Sequence, residues 1–191
     1  MQNMKAGVAA ALAWGALMMM PSACAAMPDD AQDAPAGRCH PEAGFSPEGS
    51  AAALVDRAID SASERIRLAA YTFTSPDVVR HLMAAQQRGV DVAAVVDERG
   101  NHFAASKAAL NLLVNAGIPV RTIRAYPIHH DKYMVIDDAH IETGSFNYST
   151  AAARHNSENV LVLWNCPQLA RHYLAHWQSR WAQGRAWEST Y

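Results

Sequence analysis

The chain has 191 residues, with 16 Lys plus Arg against 18 Asp plus Glu, for a formal net charge of -2. That balance excludes a strongly basic wrapper of nucleic acid and an acidic disordered tail. Half the residues are hydrophobic and 18% are charged, a globular composition with room for one domain.

The composition is uneven at the start. Five of the eight Met residues fall within the first 20 positions, and residues 1–26 contain no acid. Lys5 precedes an apolar run from Ala6 to Met20, which Pro21 and Ser22 break. Ala23-Cys24-Ala25 then supplies the small residues of a signal-peptidase site. The run is shorter than the roughly 20 residues a membrane-spanning helix needs. Residues 1–26 therefore read as a signal peptide cleaved near Ala25 or Ala26, and the protein as periplasmic or secreted. A lipoprotein processed at Cys24 is the alternative, although Pro21 stands where such signals carry Leu. After cleavage only Cys39 and Cys166 remain, and an oxidising compartment allows them to pair or to persist as two thiols.

Residues 27–43, rich in Pro, Ala, Asp and Gly, read as a flexible arm, and residues 44–191 as the single folded domain. Ser50 begins a helical pattern through Leu54, Ala58 and Ile59. Ile66 to Phe73 reads as a strand. Ser75-Pro76 is an N-cap followed by proline at the first helical position, and Gly89 closes that helix. Val90 to Val96 is nearly continuous in apolar residues, as in a strand covered on both faces. A turn at Asp97–Gly100 leads to a helix over Ala105–Ala116. Strands follow at Val120–Ile123, Tyr133–Ile136, Ile141–Gly144 and Val160–Trp164. Pro167 opens a last helix carrying Leu169, Tyr173, Leu174, Trp177 and Trp181, aromatic positions whose helical spacing reads as core. The alternation predicts an α/β fold, a mixed central sheet with helices on both faces.

The chemistry is concentrated between His130 and Asn147. His130-Asp131-Lys132 is followed after four residues by Asp137, and after six more by Gly144-Ser145-Phe146-Asn147. In a strand, positions two apart share a face. His130 and Lys132 would then set a nucleophilic imidazole beside an ammonium, and Ser145 and Asn147 would aim a hydroxyl and an amide at one anion. Such donors suit the charge that develops on a phosphodiester. Gly144 clears space for a substrate or a neighbouring backbone. Asp137, an odd number of residues from His130, faces away and reads as a structural ion-pair or turn residue. His129 likewise takes the opposite face, and His140 and His155 read as solvated turn residues. Exposed Arg154 and Lys107 are candidate contacts to a phosphate backbone.

These six fixed positions resemble the signature of the phospholipase D superfamily. Phe45–Gly49, Val96–Gly100 and Asn156–Asn159 are similar to its small bacterial endonuclease branch, so the likeness spans residues 44–191. The resemblance implies a phosphodiesterase working through a covalent phosphohistidine, with Glu158 orienting His130. Such chemistry needs one histidine to attack and another to protonate the leaving oxygen. One motif copy then implies a homodimer with His130, Lys132 and Asn147 contributed twice to a shared site, and no cofactor or metal. A sequence-nonspecific endonuclease acting on DNA, with RNA left open, is the first expectation. A phospholipase D-type lipase releasing phosphatidate is the alternative, and a catalytically dead binding module a third reading. The negative net charge is the strongest argument against a nucleic acid substrate.

Overall fold

The computed structural model describes residues 38–190. The signal segment, its cleavage site and the first part of the arm lie outside the described residues. The sheet has eight strands in the order β1-β7-β6-β5-β2-β3-β4-β8. They are β1 (His40–Ser46), β2 (Arg65–Ala70), β3 (Asp91–Asp97), β4 (Val120–Ile123), β5 (Lys132–Ile136), β6 (His140–Gly144), β7 (Glu158–Trp164) and β8 (Arg185–Ala186). The helices are α1 (Ser50–Asp60), α2 (Pro76–Gln87), α3 (Ala104–Asn115), α4 (Thr150–Arg154) and α5 (Pro167–Gln183).

Strands β2, β3 and β4 are parallel, joined through α2 and α3, and every other pairing is antiparallel. The predicted mixed sheet with helices on both faces is the observed architecture. On one face α1, α2 and α3 bury Leu54, Ile59, Leu82, Leu110 and Leu113 against Ile66, Leu68, Met134 and Val162. On the other, α5 covers Ala69, Val95, Tyr133, Val135 and Ile141. Trp177 fixes α5 there: its indole N–H donates to the Leu68 carbonyl at 2.8 Å, and its ring stacks on Trp181. Burying that N–H without its acceptor would be costly, so the bond specifies how α5 lies on the sheet. Among the described residues no helix is long and apolar enough to cross a membrane.

Three differences from the sequence reading have physical causes. The sheet begins at His40, inside the segment read as an arm, because β1 pairs with β7 from His40↔Trp164 to Ser46↔Glu158. A disulfide between Cys39 and Cys166 ties that strand to the start of α5, with Cα atoms 4.6 Å apart. The strand read as Ile66–Phe73 stops at Ala70, where the chain turns out of the sheet toward the site. Helix α4 and strand β8 are too short to show a period, five and two residues.

Candidate active site

The β5–β6 hairpin carries the motif. Its turn places Asp137 and Asp138 at φ of 50° and 53°, a left-handed conformation that Asp tolerates better than most residues. Asp137 is wholly engaged in architecture. Its carboxylate accepts from the amides of Ser63, Glu64 and Arg65 and from the Ser63 hydroxyl, each at 2.8 Å. Burial works against its charge, but these donors outweigh it and hold the pKa below the ordinary aspartate value. It is a turn residue that locks the hairpin to the start of β2, while the ion pair with Arg65 belongs to Asp138.

Gly144 is also architectural. A Cβ there would collide with the Asn159 carbonyl group, its carbon 3.0 Å away, so glycine permits β6 to approach β7. Ser145 turns to the same strand: its hydroxyl donates to Glu158 and accepts from the Asn159 amide. Asn147 is half-buried, and its side-chain oxygen has no partner among the described residues, so the fold does not consume that group.

His130 lies just before β5 rather than in it, so strand alternation does not orient it. It is exposed, and its ring packs against Tyr71 at 4.7 Å between centroids. Lys132 is only 9% exposed; its Nζ donates to the His130 carbonyl at 3.0 Å and sits 5.4 Å from the centre of the same Tyr71 ring. Tyr71 thus gathers the imidazole and the ammonium, a cation–π contact helping to hold the latter. Burial lowers the Lys132 pKa, and the charges of Glu158 and Asp131 oppose that shift.

A scaffold from the end of β3 fixes this corner. Asp97 accepts from the amides of Gly100 (2.6 Å) and His129 (2.8 Å). Arg99 donates to the carbonyls of Tyr126 and Pro127. Buried Asn101 donates to the Tyr71 and Asp97 carbonyls and accepts from the Phe73 amide. Gly100 leaves room for the Tyr71 ring, which would stand 2.9 Å from any Cβ. The turn read at Asp97–Gly100 is thus a clamp on the His129–His130 segment.

A cavity of about 440 Å³ opens beside the motif, walled by His130, Asp131, Lys132, Tyr133, Thr143 and Gly144 and by His172, Tyr173 and His176 of α5. Ser145, Asn147 and Glu158 are outside that wall. Glu158 makes no hydrogen bond to His130 within the single chain; its carboxylate is taken by Ser145 and Asn156. His129 is buried while His130 is exposed, although both precede β5 and strand alternation sets neither, and burial lowers the His129 pKa. His140 is not a solvated turn residue: its Nδ1 accepts from the Asn165 amide and its ring meets Trp164. Sequence reasoning gave no role to Tyr71, Asp131 or the α5 histidines. The spacing of His172 and His176, one helical turn apart, was the only advance signal of the latter. Among the described residues no three His, Cys, Asp or Glu side chains group to hold a metal ion.

Comparison with known proteins decides the family. The cardiolipin synthase, PLD-like domain family matches residues 55–181. The chain belongs to the phospholipase D-like family. It is a phosphodiesterase of that superfamily, with His130, Lys132 and Gly144 of the motif in the wall of its cavity. A protein from Rickettsia bellii named phospholipase D is 35% identical over 139 residues, 73% of this chain and 68% of the relative. Human mitochondrial cardiolipin hydrolase is 32% identical over 134 residues, 70% of this chain and 52% of that protein. The chain thus spans from about half to two thirds of these relatives. The crystal structure of Nuc from Salmonella typhimurium, a phospholipase D family member, superposes with a TM-score of 0.79. It is 53% identical, covering 80% of this chain and all of Nuc.

Proposed function

We propose that the protein is an exported, sequence-nonspecific endonuclease that hydrolyses DNA through a covalent phosphohistidine on His130, at a site shared by two copies of the chain. The observation that carries this reading is the pairing of an exposed imidazole with a buried ammonium around Tyr71 at the mouth of a cavity. His130 attacks phosphorus, so a P–N bond forms as the P–O bond to the leaving alcohol breaks. The departing oxygen takes a proton from a second histidine, which then removes a proton from water as that water displaces the imidazole. Lys132 and Asn147 stabilise charge on the phosphoryl oxygens. In a two-fold dimer the partner subunit's His130 supplies the second histidine. The exposure of His130, in a chain with one motif copy, supports that arrangement. Glu158, at the head of β7, accepts from Ser145 and Asn156 in the single chain, and its remaining lone pairs are the ones assigned to orient His130 by resemblance to the family.

The disulfide supports export, since such bonds persist in oxidising compartments. The likeness to the small bacterial endonuclease branch and the 53% identity with Nuc support the nucleic acid reading. The second reading, a lipase acting on phospholipid head groups, is favoured by the names of the relatives from Rickettsia and human. Incubation with plasmid DNA and, separately, with phosphatidylcholine vesicles, both in EDTA, tests the proposal. Nicked and linear plasmid with intact lipid is the expected result. Released choline with intact plasmid would establish the lipase instead, and turnover of neither would leave a binding module.

A further inference from the structure

The cavity beside the motif holds more than a phosphodiester needs. His130 and Lys132 occupy one part of its wall; the remainder is chiefly Asp131, Tyr133, Thr143, His172, Tyr173 and His176. Tyr133 is 4% exposed, and its hydroxyl has no hydrogen-bond partner among the described residues. Burial, with the Asp131 charge adding to it, pushes that phenol far above its ordinary pKa, so the hydroxyl keeps its proton and remains a donor. A buried donor without an acceptor is costly unless a ligand completes it. The Tyr133 ring meets Tyr173 edge-on at 5.0 Å and His176 at 6.0 Å. Asp131 accepts through Oδ2 from His176 at 2.9 Å and faces His129 Nδ1 at 3.3 Å, which leaves Oδ1 for another donor.

We propose that this part of the cavity is a subsite for the nucleobase that flanks the scissile phosphate. The inference rests on the endonuclease reading and deepens it. A second phosphate would meet the Asp131 carboxylate. An acyl chain would bury the Tyr133 hydroxyl without an acceptor, and a quaternary ammonium head group has no acceptor to offer it. A base is planar, carries ring or carbonyl acceptors for Tyr133, and in cytosine, adenine and guanine carries an amino group for Asp131. The volume lies within the range of small-ligand sites, and aromatic walls suit a base whatever its sequence.

The test uses the purified full chain with its disulfide intact. The probes are the p-nitrophenyl phosphodiesters of deoxycytidine, at the 3′ and 5′ positions, and of the corresponding abasic deoxyribose. The wild type is expected to show a KM for the preferred deoxycytidine ester about three- to tenfold below that of its abasic counterpart, the scale of one buried hydrogen bond. In Tyr133→Phe that ratio falls toward one. Asp131→Asn, an independent variant, is expected to narrow it as well. Equal KM values for the two esters in the wild type, or an unchanged ratio in both variants, would overturn the subsite. If plasmid DNA is cut while the ratio is one, only the subsite falls. If plasmid is untouched and phosphatidylcholine is hydrolysed, the endonuclease reading falls and the subsite with it.

Discussion

The two ends of β5 do different work with residues of one motif. At its start, exposed His130 and nearly buried Lys132 meet around Tyr71, and neither side chain is spent on holding the hairpin together. At its finish, Asp137 is consumed by four donors from the residues that lead into β2. The four residues between Lys132 and Asp137 are the strand itself, and the six before Gly144 are the rest of the turn and β6. The spacing of the motif is therefore the length of a hairpin. One end carries reactive groups, and the other fixes where they stand.

His130→Ala gives the largest expected effect and tests the reactive end directly. Phosphodiester turnover should drop at least about a thousandfold with an unchanged melting temperature. A large loss of stability would place His130 among the architectural residues. At the opposite end, the Cys166 amide donates to the Ala139 carbonyl of the hairpin turn, so the Cys39–Cys166 bridge braces that side. Its loop spans 127 residues, and reduction should cost about 2–4 kcal/mol of stability in denaturant titration. Asp137→Ala should cost about 1–3 kcal/mol, discounted for its partial exposure, with turnover per folded molecule retained. Because its folded pKa is lowered, the stability that Asp137 contributes is present above the ordinary aspartate range and is lost as pH falls.

Between the two ends, Glu142 on β6 is buried and accepts from the Tyr148 hydroxyl at 2.6 Å. Burial raises its pKa from 4.5 to about 8, against the opposing hydrogen bond from Tyr148. The folded state keeps the proton across that window, so stability falls as pH rises from 4.5 toward 8. The slope is at most about 1.4 kcal/mol per pH unit. Melting curves at several pH values should show this decline in the wild type and its absence in Glu142→Gln. An equal decline in both would remove Glu142 as the cause.

Much of the fold was legible because its long helices and buried strands have clear periods. Ser75-Pro76 caps α2 as read, the Ser75 side chain accepting from the Val78 amide. β1 was missed because His40, Pro41 and Glu42 have no strand pattern of their own; their order comes from β7 and the disulfide. The motif was legible because its residues lie at fixed short spacings within one stretch of sequence. Tyr71 and the α5 histidines were not: the pairing of β2 with β5, Ala70 opposite Lys132, brings Tyr71 to His130, and the packing of α5 on the sheet brings His176 to the same cavity. Glu158 shows the same limit: resemblance assigns it to His130, while in the single chain it is bonded to Ser145.

The most direct measurement is to quench turnover of a short radiolabelled DNA substrate with denaturant at neutral to alkaline pH, and to map the labelled peptide. The account predicts a phosphoramidate on His130 that is absent from His130→Ala. Steady turnover with no label on any histidine, or a label elsewhere, would contradict it.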